Sequence, residues 1–390
     1  MSQNVHGAPA PVWGLSIGCL GTAVVLGTCC ILTLLAVGTS PGSLVIGGLL
    51  AVVVAPFYAG FLLWLDPLEH EPPWLLAIAA LWGAGVATFV GALSTVILEG
   101  MSTVALGLDA TAADALGSVL FAPVTEEIAK GAFLLFLFVM ARHELDDVID
   151  GIVYGGLVGL GFAVVEDFGY YLISLAEGGV TATGILFILR GVLTGFGHSF
   201  FTALTGLGFG VARTVSSGPL RVLAIAGGLT AGIAFHALWN ALAVATAMTG
   251  SVALVVVMLV GYPFGILLPG AVGLAVVAIV HARSRRRAVK AALRHAVEEG
   301  LARPEDLETL TSPWRRRARQ LRLLYRYGWR AFWVRRRLDI ALADWAYRQW
   351  HRSRGDRLPR FLSAFEAEAL EARIRRWQHE LDRLLVAPAG

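Results

Sequence analysis

Four short stretches carry the residues that could do chemistry. "TEEIAK" sets Glu126 beside Glu127, with Lys130 one helical turn later; "FAVVEDFGYY" holds Glu166, Asp167 and Tyr170; "GHSFF" holds His198; "FHALWN" holds His236 and Asn240. On a helix Glu126 and Lys130 are i, i+4 and share a face, so the lysine can hold that carboxylate ionised. Glu127 points about 100° away and can meet a different helix. Glu166 with Tyr170, and His236 with Asn240, repeat the i, i+4 spacing. A glutamate hydrogen-bonded to a histidine can deprotonate a water. A second histidine and an asparagine amide can donate to the oxyanion formed when that water attacks an amide. Glu126, His198 and His236 could equally hold Zn²⁺, with water as fourth ligand. Direct glutamate catalysis and metal-assisted hydrolysis both stay open, and no cofactor is fixed by the residues alone. No HExxH or GxGD-type pattern is present.

These groups sit in apolar surroundings. The chain has 390 residues, 56% hydrophobic and 15% charged, against about 25% charged in a soluble domain. Apolar runs of bilayer-crossing length, about 20 residues, recur through the first three quarters. The expected fold is all-α: a polytopic transmembrane bundle of eight spans with a helical tail. The spans are placed at 12–37, 43–65, 74–98, 117–141, 148–176, 181–212, 220–248 and 251–281, with a mildly acidic loop or short interfacial helix from Glu99 to Asp114 and a polar turn at "LDPLEHEPPW". Cys19, Cys29 and Cys30 all fall in the first span and make no disulfide framework.

An unpaired ionisable group in a span costs about 3 kcal/mol or more, so such groups are normally partnered. Arg190 in the sixth span joins the candidates on that ground. At 1.5 Å per residue, Glu126 lies about 13 Å, Glu166 about 15 Å, His236 about 18 Å and Asn240 about 12 Å below the outer surface, with His198 deeper at about 25 Å. One polar layer fed by four helices is the expectation. Glycines in "GIVYGGLVGLGFA" and "GFGHSFFTALTGLGFG" suit close helix packing.

Charge divides the chain in two. Residues 1–282 hold five basic and fifteen acidic residues, a net of −10; residues 283–390 hold 26 basic and 13 acidic, a net of +13. The expected domains are 1–282, embedded in the membrane, and 283–390, a basic amphipathic tail. The loop arginines and the tail fall on one side of an eight-span bundle, which by the positive-inside rule makes both termini cytoplasmic. In the tail, helices are read at 287–302, 313–352 and 360–385. Arginine interleaved with Trp, Tyr and Leu suits an anionic lipid surface; no nucleic-acid motif is present, and no nucleic acid is expected as partner.

"EEIAK", "DGIVYGGLVGLGFAVVEDFGYY", "GHSFFTALTGLGFG" and "FHALWN" resemble, in order, the motifs of PrsW-type intramembrane proteases, a family in the clan of the CAAX prenyl endopeptidases and bacteriocin-processing proteins. "DPLEHEPPW" resembles their acidic loop, and the resemblance covers about 43–245. It implies Glu126 as water-activating base with Glu127 in support, His198 orienting the water, and His236 and Asn240 stabilising the oxyanion. Lys130, Glu166 and Tyr170 would be supporting residues, and Asp167 stands where the family more often has Asn. The implied activity is cleavage of a single-pass membrane protein, such as a membrane-anchored anti-sigma factor, in the bacterial plasma membrane. Two rival readings use the same residues: a proton- or cation-coupled transporter, and a catalytically inactive interaction protein on the same fold. A transporter often has inverted repeats, and no internal repeat is evident.

Overall fold

The computed structural model describes residues 10–66, 71–142, 144–353 and 364–386, and every regular element among them is helical. The chain separates into two compact units, one of Gly14–Asp66 with Glu71–Ala278, the other built on Ile279–Gly390.

In chain order the first unit holds α1 (Ala10–Ala36), α2 (Pro41–Val53), α3 (Ala55–Leu65), α4 (Pro73–Leu81), α5 (Thr88–Leu106), α6 (Ala110–Leu116), α7 (Ala122–Met140), α8 (Val148–Leu186), α9 (Gly197–Thr214), α10 (Gly218–Thr249) and α11 (Val252–Val256). α12 (Leu268–Glu298) starts in this unit and ends in the other. Wider π-helical turns join several of these, notably Gly117–Phe121 leading into α7 and Phe187–Leu193 after α8.

Five stretches are long and apolar enough to cross a bilayer: Pro41–Leu65, Pro73–Leu106, Val148–Thr214, Gly218–Thr249 and Val252–Glu298, with Leu20–Ala36 a shorter apolar helix. Two expected spans, 148–176 and 181–212, thus fall in one 67-residue stretch. Gly179, at φ +70°, is the non-helical point between them, a backbone conformation that glycine adopts without a Cβ clash. The expected 117–141 span is not among the five; α7 packs three ionisable residues into 19. Of the two readings for 99–114, loop or short helix, helix holds for most of the segment. α5 runs on to Leu106, Gly107 turns the chain at φ +65°, and Asp109 caps α6 by accepting from the Ala112 N–H at 2.8 Å.

α8 is the hub. Nearly every residue from Val148 to Phe162 is buried, as expected of a helix apolar on all sides. It packs against α2, α3, α4 and, most extensively, α9. Three of its glycines make that last approach possible. A Cβ on Gly151 would lie 2.1 Å from the Gly206 carbonyl oxygen, one on Gly155 2.5 Å from that of Thr202, and one on Gly159 2.2 Å from that of His198. The stripe lets α9 lie backbone to backbone on α8, and so fixes where His198 stands.

α9 does not begin where a continuous sixth span would place it. The helix is interrupted at Thr194–Phe196, where the Thr194 N–H and hydroxyl both return to the Leu189 carbonyl at 3.0 Å. His198 therefore sits in the first turn of a new helix. A rise of 1.5 Å per residue does not carry across such a break, which removes the basis for the greater depth expected of His198.

The second unit has its own core. The end of α12, α13 (Pro304–Leu310), α14 (Pro313–Ser353) and α15 (Ala364–Val386) bury Leu293, Leu301, Leu342, Trp345, Ile374 and Leu381 together. The helix expected from residue 287 is the continuation of α12, and residues 360–363 of the last expected helix lie outside the described residues. α14 bends at Gly328, φ +79° and ψ −178°.

Candidate active site

α7 brings Glu126, Glu127 and Lys130 into the bundle, and all three are buried. Lys130 is the centre of the arrangement. Its ammonium donates to Glu127 Oε1 at 2.8 Å, lies 3.4 Å from Glu126 Oε2 and 3.2 Å from His198 Nδ1, and rests 3.5 Å over the Phe162 ring. Three donors are thus directed at three acceptors. The expected Glu126–Lys130 pairing is present, but the closer pair is Glu127–Lys130. Positions i+3 and i+4 are both neighbours on a helix surface, so the lysine spans the two carboxylates.

The two glutamates differ in how far they are satisfied. Glu127 is fully enclosed: Oε1 takes Lys130 and lies 3.1 Å from His236 Nδ1, and Oε2 accepts from the Thr202 hydroxyl at 2.9 Å. Glu127 therefore does meet other helices, α9 and α10. Glu126 keeps a side-chain exposure of 10%, and its Oε2 lies 3.8 Å from His236 Nε2, beyond hydrogen-bonding range. Gly91 of α5 makes room for it, since a Cβ there would lie 2.7 Å from Glu126 Cγ.

Each histidine is held by a carboxylate. His198 Nε2 lies 2.7 Å from Glu166 Oε2. With the Lys130 ammonium at its Nδ1, the imidazole accepts there and donates from Nε2, a tautomer assigned from the hydrogen-bond network. His236 stacks on Phe201 with centroids 5.1 Å apart and meets His198 edge-on at 4.9 Å. Donation from its Nδ1 to Glu127 leaves the Nε2 lone pair turned toward Glu126.

α8 and the Phe187–Leu193 turn supply the next shell of charge. Arg190 donates to Glu166 Oε2 at 2.6 Å and to Asp167 Oδ1 at 2.7 Å, and lies 3.9 Å over the Tyr170 ring. Asp167 is thereby accounted for as the second anchor of Arg190. Tyr170 does not pair with Glu166 as its spacing suggests: 43% exposed, it packs beneath the guanidinium. Asn240 is not drawn to the carboxylates either. Its amide donates to the Ser118 carbonyl at 2.7 Å, tying α10 to the π-helical turn that leads into α7.

A cavity of about 20 Å³, enough for one water molecule, adjoins His198 and is walled by Asp167, Arg190, Phe201, Trp239 and Tyr262. The structure thus gathers Glu126, Glu127, Lys130, Glu166, His198 and His236 into one network. Thr202, Phe162 and Gly91 are additions that sequence reasoning missed. Thr202 is i+4 from His198, and Phe162 is i−4 from Glu166; helical spacing from the known residues could have found both.

A separate acidic group lies outside the spans. Of the "DPLEHEPPW" turn, Pro67–His70 fall outside the described residues. Glu71 accepts from the Tyr154 hydroxyl at 2.6 Å. Burial pushes the Glu71 carboxyl up to about 8; the Tyr154 hydrogen bond opposes this, and the charges of Asp66, Glu144 and Asp146 add to it.

One donor of each of Glu126, His198 and His236 lies within 4.8 Å of the others, a three-ligand set of the carboxylate–imidazole type. Each imidazole also meets a second carboxylate, Glu127 or Glu166, as metal-bound histidines commonly do. In kind and number these residues fit a divalent cation. The Lys130 ammonium lies among the same atoms and would have to yield to it.

A helical bundle that buries carboxylates and histidines together in apolar spans is the architecture of a multi-pass membrane protein with a polar centre. Residues 71–268, half of the chain, match the family described as PrsW family intramembrane metalloprotease, and the chain belongs to that family. Protease PrsW of Geobacillus kaustophilus (strain HTA426) is 37% identical over 102 residues. That match covers 26% of this chain and 41% of the relative. No solved structure matches the chain.

Proposed function

We propose that the chain is an intramembrane endopeptidase in which Glu126 activates the hydrolytic water. The observation that carries this reading is the asymmetry of the two glutamates: both oxygens of Glu127 are engaged, whereas Glu126 faces the His236 Nε2 lone pair with no hydrogen bond between them. Glu126 accepts a proton from water as the oxygen attacks the scissile carbonyl carbon. The C=O π electrons pass to oxygen as an oxyanion, which the Lys130 ammonium would meet by exchanging its longest contact, the 3.4 Å one to Glu126 Oε2. Collapse breaks the C–N bond, and the proton held by Glu126 passes to the leaving amine. Glu127 fixes the His236 ring, and Glu166, held by Arg190, fixes that of His198. Asn240 acts at one remove, as a positioning residue for the turn into α7.

The family description and the three-donor set favour a second form of the same activity. Glu126, His198 and His236 would hold the metal, which when bound lowers the pKa of its water and polarises the carbonyl. The substrate is read as a single-pass membrane protein, with a membrane-anchored anti-sigma factor as the type. The membrane is read as the bacterial plasma membrane, with both termini cytoplasmic, on the charge asymmetry of the loops.

The test is cleavage of a single-span substrate by the purified full chain in lipid nanodiscs. Wild type cleaves, and Glu126→Gln does not. Equal cleavage by both proteins sinks the proposal. Metal content of the same samples separates the two forms: stoichiometric zinc, lost in His236→Ala, selects the metal form.

A further inference from the structure

We infer that the helical unit after the last apolar stretch is a docking module for anionic phospholipid, which it grips through the bend of α14 and a basic basin beside it. The inference does not depend on whether the buried site cleaves peptides.

The bend is the first observation. From Tyr325 to Arg330, in "YRYGWR", every residue is exposed, in a unit whose other helices bury a continuous core. Tyr325 is 93% exposed and Trp329 61%. Gly328, in a conformation open only to glycine, makes the bend that turns these aromatics outward. Tyr and Trp offer an apolar ring with a polar edge, the side chains found where hydrocarbon meets headgroups.

The basin is the second. Arg330, Arg376, His379 and Arg383 line an open hollow of about 640 Å³, with Glu380 and Leu384 completing it. Arg330 lies 3.2 Å from Glu380, which offsets one charge. Among the described residues no carboxylate pairs with Arg376 or Arg383. Guanidinium groups suit phosphate oxygens, which they can meet with two parallel hydrogen bonds. Trp329 and Arg330 are adjacent, so a headgroup in the basin and a ring in the interface would be engaged together.

Three arguments select a lipid surface over other polyanions. The chain is a multi-pass membrane protein, and α12 leads directly from its last apolar stretch into this unit, which raises the local concentration of bilayer. Residues 283–390 have a net charge of +13, complementary to an anionic leaflet. The exposed aromatics also give the bilayer's apolar layer something to hold, which a soluble anion would not use.

The test uses the full chain in nanodiscs. Cys19, Cys29 and Cys30 are replaced by Ser, and Tyr325→Cys carries a fluorophore whose quenching by acrylamide is measured. Quenching is expected to fall about threefold or more when about 30% phosphatidylglycerol replaces phosphatidylcholine, and to recover at high salt. Arg330→Gln with Arg376→Gln and Arg383→Gln should restore the phosphatidylcholine value. The lipid comparison uses the same labelled, cysteine-replaced chain in both discs, so a folding defect in the triple arginine variant does not decide it. Equal quenching in the two discs overturns the inference. So does a fall produced in phosphatidylcholine discs by inorganic phosphate or by an RNA oligonucleotide.

Discussion

The chain buries a charged network in its membrane unit and another in its tail, and the two are built from different groups. In the tail, Asp306 Oδ1 accepts from Arg335 at 2.7 Å and Arg319 at 3.0 Å, and Arg335 pairs with Asp339 at 2.5 Å. Gln320 donates to the other oxygen of Asp339. Burial works against the Arg335 charge, but Asp339 and Asp306 outweigh it, and its pKa rises above the ordinary value. Burial raises Asp339 above the usual carboxylate range, with Arg335 opposing. Every cation here is a guanidinium, which offers no lone pair and gives up no proton. Such a network can only hold shape. At the centre of the membrane site the cationic and ambivalent groups are an ammonium and two imidazoles, with the Arg190 guanidinium one step further out, and Glu126 is left incompletely bonded. Buried charge alone therefore says little about chemistry; what matters is whether its members can exchange protons or lone pairs.

Four experiments would break or sharpen that contrast. The largest effect is expected from Glu126→Gln, with cleavage down ~10³-fold, within the range for removal of a general base, and little change in melting temperature. Glu127→Gln should instead lose stability as well as activity, because Lys130, Thr202 and His236 all depend on that side chain. Equal behaviour of the two variants would erase the asymmetry. Next, Arg335→Met should destabilise the tail unit by about 3 kcal/mol, the usual cost of orphaning buried partners. Faster hydrogen exchange around Leu342, with unchanged cleavage per folded molecule, would show it. Loss of cleavage there would mean that the tail network serves the site.

Gly159→Ala comes third. Its Cβ would sit 2.2 Å from the His198 carbonyl oxygen, so α9 must shift, at a cost of about 1–3 kcal/mol in stability. Cleavage should fall with it, and an unimpaired variant would show that His198 tolerates displacement. The smallest effect concerns Glu71. Its pKa in the folded protein is about 8, above its ordinary value of 4.5, so the folded state holds the proton more tightly than the unfolded chain. The associated stability is full below the ordinary value and is lost as pH rises through 8. The slope is about 1.4 kcal/mol per pH unit at most, by linkage. Melting curves from pH 6 to 9 should show the decline, and Glu71→Gln should flatten it.

Much of the site could be read from spacing. Helical periodicity put Lys130 within reach of the paired glutamates, and apolar context marked Glu166, Arg190, His198 and His236 as needing partners. What spacing could not give was direction after a helix is broken. The interruption at Thr194–Phe196 resets the rotation and rise of α9, so the depth count for His198 had no footing. Asn240 shows a second limit: its amide was free to face either the carboxylates or a backbone carbonyl, and the π-helical turn at Gly117–Phe121 offers the Ser118 carbonyl to it. The 117–141 span is among the eight read from hydropathy, but where its three charged groups would go was not legible, and packing against α5, α9 and α10 gives its polar face a place.

The stripe of Gly151, Gly155 and Gly159 has a consequence for how this protein would look in a saturation screen. Positions that bear no functional group at all should tolerate fewer replacements than many charged ones, because even one carbon atom collides with a neighbouring backbone. A map of mutational sensitivity would then show two overlapping signatures along α8: one at Glu166, rescued only by similar chemistry, and one at the glycines, where no larger residue restores function. Telling these apart would separate residues that act from empty spaces that must be kept empty.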